Sequence, residues 1–225
     1  MAQRGWAGKS GRAVVRFSDV RWFPEIDSTN RLAAELARDG APDGLVVGAD
    51  HQTAGRGRRG RTWESRPGSA LLVSVVLRPV PALVTLAAGV AAAEACEAVA
   101  GVPARLKWPN DVMSAAGKLG GILSELVGDA AVVGLGLNLS WAPPGAACLG
   151  PHVDRDALLG AWLKALDGPG DVLARYRERC ATLGRPVRVE LPAETIEGVA
   201  GHVDDQGRLV VAGRAITAGD VVHLK

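Results

Sequence analysis

Cysteine is scarce in this 225-residue chain: Cys96, Cys148 and Cys180 are odd in number, far apart and in no Cys-x-x-Cys spacing. That excludes a disulfide framework and argues against a structural zinc site, and it fits a reducing compartment. Charge of one sign is also lacking. The 26 basic and 24 acidic side chains leave +2, too little for a broad nucleic-acid or membrane surface, so any basic function must be local. The most apolar long run, Leu83 to Val102, is rich in alanine and carries Glu94 and Glu97, which reads as a buried helix and not a membrane span. Met1 to Phe17 is a polar leader without the apolar stretch of a secretory signal, so a cytoplasmic protein is expected. Neither a repeat at a 20 to 50 residue period nor a low-complexity tract is found. Apolar residues at 48% and charged residues at 22% match ordinary globular usage, and the length suits one α/β domain with a small appendage.

Ser28-Thr29-Asn30 supplies capping oxygens before Leu32 to Arg38, and Gly40 follows, the start and stop chemistry of a short helix. Leu45 to Ala49 and Leu71 to Leu77 read as strands, separated by a loop from Gln52 to Gly68 that has no apolar periodicity. After the alanine-rich helix, Leu119 to Val127 and Ala131 to Leu139 are apolar runs either side of Gly128-Asp129, a hairpin spacing. Asp154 can cap a helix carrying Leu158, Leu159, Trp162, Leu163 and Leu166 on one face, and Asp171 to Leu183 suggests another. Beyond Gly184 the texture changes to short alternating segments, Val187 to Leu191, Ile196 to Val203, Leu209 to Ala212 and Val221 to Leu224. The expected fold class is α+β: a mixed sheet flanked by helices over residues 1–183, then a small all-β barrel over residues 184–225.

Gly55-Arg56-Gly57-Arg58-Arg59-Gly60 has the spacing G-x-G-x-x-G of a dinucleotide-binding turn. Context opposes that reading, because Gly60 opens no helix: Arg61-Thr62-Trp63 and Pro67-Gly68 follow, then a strand. What remains is a flexible, strongly positive segment whose backbone N–H groups can approach a phosphate, or else a solvated turn kept soluble by its arginines. Four like charges also suggest a loop that orders only when an anion arrives. Lysines are few, five against 21 arginines, yet Lys107 and Lys118 sit eleven positions apart beside loop residues and glycines. An ammonium can follow charge developing on a phosphoryl group, whereas two surface lysines would need no such explanation. Asn110 and Asp111 after Pro109 fit a plain turn or a magnesium or ribose contact. Trp63 and Trp108 fit the core, or an indole facing a ligand.

Taken together, Ser28-Thr29-Asn30, Gln52-Thr53-Ala54-Gly55-Arg56-Gly57-Arg58-Arg59-Gly60-Arg61-Thr62-Trp63, Lys107-Trp108-Pro109-Asn110-Asp111, Lys118-Leu119-Gly120-Gly121-Ile122-Leu123 with Glu125, and Gly134-Leu135-Gly136-Leu137-Asn138 resemble the biotin protein ligases in order and spacing. The resemblance implies that biotin and Mg-ATP give biotinyl-5′-adenylate and pyrophosphate, after which a lysine amine of a biotin carboxyl carrier domain of a carboxylase displaces AMP. No enzyme nucleophile is needed, in keeping with the absence of an identifiable Ser-His or Cys-His arrangement. The family motifs would assign Ser28, Thr29, Asn30 and Gln52 to biotin's ureido ring. Arg56, Gly57 and Arg58 would fold over its carboxylate and the adenylate, with Lys118, and to a lesser degree Arg58, at the reacting centre. Arg61, Lys107, Asn110 and Asp111 would serve the triphosphate and, through Asp111, magnesium. Trp63, Gly136 and Asn138 would lie on the ATP side, and Gly121 would leave room for the ligand. Glu64 and Leu72 stand where many members carry aromatics. Only 27 residues precede Ser28, too few for a winged DNA-binding domain, so no DNA binding is expected; monomer and homodimer both stay open. Lipoate or octanoyl ligases share the implied architecture. A biotin-sensing or RNA-binding module would instead show steep salt dependence with nucleic acid.

Overall fold

The computed structural model describes residues 4–5 and 15–224; most of the expected polar leader lies outside them. The chain runs through Arg4–Gly5 (β1), Val20–Ile26 (β2), Thr29–Arg38 (α1), Val46–Gln52 (β3), Ala70–Leu77 (β4), Val84–Ala100 (α2), Arg105–Lys107 (β5), Asp111–Ser114 (β6), Gly117–Val127 (β7) and Ala130–Asn138 (β8). It continues through Arg155–Leu166 (α3), Val172–Arg179 (α4), Pro186–Glu190 (β9), Thr195–Val203 (β10), Leu209–Val211 (β11), Arg214–Ile216 (β12) and Asp220–His223 (β13). The first eight strands form one sheet in the order β1-β2-β3-β4-β8-β7-β6-β5, and the last five form a second, β12-β11-β10-β9-β13. Only β2 and β3 run parallel, joined by α1 as the crossover; the other pairs are antiparallel.

Strand alternation decides which helix covers which face. Along β4, Leu71, Val73, Val75 and Leu77 join the large core with α2 and α3, while Val76 joins the smaller core under α1. Helix α1 packs through Ala33, Ala34 and Ala37, a three-and-four spacing that lets its backbone approach the sheet. Helix α2 follows Leu83 in the left-handed region and closes on Gly101 at φ 65°. No helix among the described residues is long and apolar enough to cross a membrane.

The structure adds to the expectations and, for one helix, corrects them. Strand β2 was not foreseen, since Arg21, Pro24 and Glu25 interrupt its apolar pattern; parallel pairing with β3 overrides local propensity. The helix expected over Asp171 to Leu183 ends at Arg179, and Ala181 N–H donates to Leu106 C=O at 2.7 Å beside β5. Asp111 directly follows the turn at residues 108–110 and opens strand β6. The terminal segments form the expected small all-β unit, a five-stranded antiparallel sheet that does not close, with β12 and β13 at opposite edges. Its inner residues, among them Val187, Val189, Ala200 and Val211, belong to the same large core as α2 and α3.

Candidate active site

A cavity lies on the α1 side of the first sheet, and the strands make it by leaving side chains out. Register places Leu72 opposite Gly136 and Ser74 opposite Gly134, while Gly121 faces Gly136 and Leu123 faces Gly134 from the other side. Three glycines therefore stand on the face that α1 only partly covers. Two of them are needed for a close approach. A Cβ on Gly136 would come within 2.7 Å of the Trp63 indole, and one on Gly134 would overlap the Asn30 carboxamide. Gly121 is different, since its Cβ would sit in ordinary contact, 3.6 Å from Lys118 Nζ.

The α1 end of the cavity is polar, buried and tied together. Ser28 is the N-cap, so Thr29 and Asn30 belong to the first helical turn. Gln52 Oε1 accepts from Thr29 N–H at 2.7 Å and lies 3.0 Å from the Thr29 hydroxyl. Fully buried Ser74 lies 2.8 Å from Thr29 Oγ1 and donates to Asn30 Oδ1 at 2.6 Å. Asn30 Nδ2 donates to Leu123 C=O and to Glu125 Oε2. Every amide and hydroxyl here has a fixed orientation before a ligand arrives, the property that selects a small polar head group.

The glycine–arginine segment roofs the cavity as a pinched loop. Gly57 N–H donates to Arg61 C=O at 2.6 Å, Trp63 N–H donates to Gly55 C=O at 3.0 Å, and Arg56 bridges Thr62. Two carboxylates offset part of the positive charge of the loop's four arginines. Arg56 makes a two-pronged contact with Glu125 at 2.9 and 3.2 Å, and Arg59 and Arg61 both pair with Asp220. Arg58 is half-buried and its direct partner is a neutral one, Asn110 Oδ1 at 3.0 Å. Burial weakens its hold on the proton, against the opposing pull of the Asp220 and Asp111 charges.

Lys118 reaches the cavity because strand β7 carries a bulge. Asp111 opposes Gly121 and Val112 opposes Gly120, but Met113 opposes Lys118, leaving Leu119 as the extra residue. Regular alternation would have sent Lys118 to the face opposite Gly121. The bulge instead buries Leu119 in the core and turns Lys118 toward Asp111, Nζ to Oδ1 at 2.6 Å. Asn110 is fixed next to them, donating to Ile122 C=O and accepting from Arg58. An adjoining cavity shares Arg58, Asn110 and Ile122 with the first and extends over Trp108 and Pro109 to Leu83, Leu86 and Gly207.

Of the residues expected at the site, Ser28, Thr29, Asn30, Gln52, Arg56, Gly57 and Arg58 line the first cavity, as do Arg61, Trp63, Asn110, Asp111, Lys118, Gly121 and Gly136. Two do not. Lys107 is on β5, outside the lining of both cavities. Asn138 is buried behind them, where its Nδ2 donates to Ala147 C=O at 2.9 Å and fastens the end of β8 to the following loop. The sequence reading had no role for Ser74, Gly134, Leu123 or Thr62; the one visible sign was a lone serine inside the run Ala70 to Leu77. Asp111 is a single carboxylate, and the described residues hold no group of three or more His, Cys, Asp or Glu suited to a metal. That donor set fits a magnesium ion held mainly by phosphate oxygens of a nucleotide, not a cage made by the protein.

Known proteins bear on this geometry. A family model described as the biotin/lipoate A/B protein ligase family matches residues 22–138, and one described as the biotin protein ligase C terminal domain matches residues 182–224. A biotin--[acetyl-CoA-carboxylase] ligase of Mycobacterium tuberculosis is 40% identical, covering 89% of this chain and 87% of its own. One of Paracoccus denitrificans is 35% identical over 84% of this chain and 92% of its own. Among solved structures, the biotin protein ligase from Aquifex aeolicus in complex with biotin and ATP superposes with a TM-score of 0.79 at 28% identity, covering 92% of this chain and 98% of that one.

Proposed function

Since the chain belongs to the biotin/lipoate A/B protein ligase family and is a biotin protein ligase, we propose that the cavity beneath the glycine–arginine loop is where biotin is adenylated and then passed to a lysine of a carboxylase's biotin carboxyl carrier domain. The observation that carries this reading is the joining of a preset polar pocket at the α1 end to a cationic centre of Arg58 and Lys118. Thr29, Asn30 and Gln52, with Ser28 at the cap, hold the ureido ring, and the acyl chain runs over Gly134 and Gly136 beside Trp63, a reading that moves Gly136 and Trp63 from the ATP side that the family motifs imply. The biotin carboxylate attacks the α-phosphorus, a bond forms to that phosphorus, and pyrophosphate leaves.

Both reactants are anions. The chain's task is therefore to bring like charges together and to stabilise charge shifting among their oxygens, by positioning and by electrostatics. Lys118 stands where that charge moves. Asp111 holds its ammonium and serves magnesium, which when bound lends positive charge to the phosphates. Arg56 and Arg61 are the loop arginines that turn to carboxylate and phosphate, while the base lies in the adjoining cavity over Trp108 and against Asn110. Lys107 acts on the triphosphate only at longer range, and Asn138 acts through the backbone it fastens. In the second step the carrier's amine attacks the acyl carbonyl and AMP leaves, with Lys118 and Arg58 retaining the phosphate. Three free cysteines, two of them buried, suit a cytoplasmic enzyme.

Incubating the purified protein with biotin, ATP and magnesium, with lipoate in parallel, and detecting bound acyl-adenylate by mass spectrometry tests the reading. Biotinyl-adenylate alone, discharged by a carrier domain, is expected. Lipoyl-adenylate in its place would reassign the substrate.

A further inference from the structure

The turn at residues 108–110 is fastened from outside the two cavities. After α4 ends at Arg179 the chain runs beside β5: Cys180 pairs with Leu106 in a parallel bridge, and Ala181 N–H donates to Leu106 C=O at 2.7 Å. The next rung uses a side chain in place of a carbonyl. Trp108 N–H donates to Thr182 Oγ1 at 3.1 Å, and His223 Nε2, on β13, lies 3.2 Å from the same oxygen. Trp108 and Thr182 are buried, and neither Thr182 nor His223 lines a cavity. A threonine hydroxyl has one proton to donate. The Trp108 amide is itself a donor, and the Cys180 thiol beside Thr182 is a weak acceptor. The hydroxyl proton therefore goes to a bare His223 Nε2, which leaves the lone pairs of Oγ1 for Trp108. Burial, and then the nearby charges of Lys107 and Arg185, lowers the pKa of His223 and keeps it the neutral acceptor this arrangement needs.

Just beyond Trp108 the same turn delivers two groups to the site. Asn110 is locked to β7, its C=O accepting from Ile122 N–H and its Nδ2 donating to Ile122 C=O, both at 2.9 Å. Asp111 then holds Lys118 Nζ at 2.6 Å. We propose that Thr182 and His223 are positioning residues for the reacting centre: the imidazole aims the threonine oxygen, the oxygen fixes the Trp108 amide, and the turn so fixed sets where Asp111 places the Lys118 ammonium. The proposal rests on the ligase reading for what Lys118 acts on, but not for how the turn is held. The polar pocket assigned to biotin's ureido ring is built separately, on α1, Gln52 and Ser74. A displaced turn should therefore slow the reaction without loosening biotin.

The test compares wild type, Thr182→Val, Thr182→Ser and His223→Leu by amide hydrogen exchange at Trp108 in the unliganded protein and by kcat and the KM for biotin in adenylate formation. Valine keeps the shape of threonine and removes the acceptor, whereas serine keeps the acceptor and removes the methyl group. Thr182→Val is expected to speed Trp108 exchange and to lower kcat, each by about tenfold, with the KM for biotin within about twofold, because small displacements of a positioned group carry rate costs of this order. Thr182→Ser is expected to recover most of both. His223→Leu, which strips the hydroxyl of its acceptor, should shift both the same way by about threefold. Unchanged exchange and kcat in Thr182→Val would overturn the proposal, and so would a serine variant no better than the valine one. A rise in the KM for biotin as large as the fall in kcat would also overturn it, as the sign of a general disturbance. Should Thr182→Val not fold, His223→Leu carries the test, and wild-type exchange and kcat in that variant would overturn the proposal. If wild type forms no adenylate, the ligase reading falls, and exchange at Trp108 still judges the hold on the turn.

Discussion

Replacing Ser74 by alanine is expected to weaken both the fold and the site through a single oxygen atom. Ser74 is fully buried on β4, and its hydroxyl is the donor for Asn30 Oδ1 at 2.6 Å. Asn30 is itself only 4% exposed, so water cannot replace that donor. The substitution removes one hydrogen bond and leaves a buried carbonyl oxygen unsatisfied, a loss of about 1–3 kcal/mol. At about 2–4 °C per kcal/mol for a chain of this size, the unliganded melting midpoint should fall by roughly 4–8 °C for a loss near 2 kcal/mol. Because the same carboxamide is aimed at biotin, its freedom to rotate should weaken biotin binding about tenfold. Thermal unfolding and titration calorimetry with biotin measure the two effects, and a cycle with Asn30→Ala isolates the contact. A coupling of about 1–2 kcal/mol is expected, since Ser74→Ala should do little once the carboxamide is gone. Full additivity of the two substitutions, or an unchanged midpoint and biotin affinity, would refute the reasoning.

Lys118→Ala should lose about 3 kcal/mol of transition-state stabilisation, roughly 150-fold in rate under saturating substrate; wild-type turnover would remove Lys118 from the centre. Gly136→Ala should push its methyl against the Trp63 ring, 2.7 Å away, cost about 1–3 kcal/mol of stability as overpacking and raise the KM for biotin; an unperturbed KM would show that Trp63 does not line the acyl path. His223 should make stability sensitive to pH. Partial burial, with Lys107 and Arg185 nearby, lowers its pKa from the ordinary 6.5, so the unfolded chain binds the proton more readily than the folded one. This contribution is fully present above about pH 6.5 and is lost as pH falls through that value. A His223→Gln variant should flatten the fall in melting midpoint between about pH 7 and 5, and an equally steep fall in the variant would place its origin elsewhere.

Much of the site was legible because its chemistry is local. The cap at Ser28, the glycines and arginines from Gly55 to Gly60, the lysine at 118 and the Asn110-Asp111 pair all sit within short segments, and the fold brings fourteen of the sixteen expected residues to one cavity. What stayed hidden depends on register. The bulge that turns Lys118 inward is one unpaired residue, Leu119, in an otherwise regular strand. Asn138 and Lys107 carry chemistry suited to a nucleotide, yet strand pairing faces them elsewhere. Ser74 reads as an interruption until Asn30, 44 positions earlier, arrives next to it. The hold of Asp220 on Arg59 spans 161 positions and no local pattern announces it. That the second sheet stays open was hidden for the same reason: alternation identifies strands, not whether the last meets the first.

The shared core has a consequence for how the molecule can be divided. The second sheet buries Val187, Val189, Ala200 and Val211 against the same cluster that contains α2, α3 and Trp108, and the Trp108 indole donates to Gly207 C=O at 3.0 Å. A chain cut after Leu183 would therefore expose a broad oily wall beneath the Trp108-Pro109 turn, a surface prone to aggregation. The two halves should melt in one transition, and neither is a cassette that can be lent to another protein by itself.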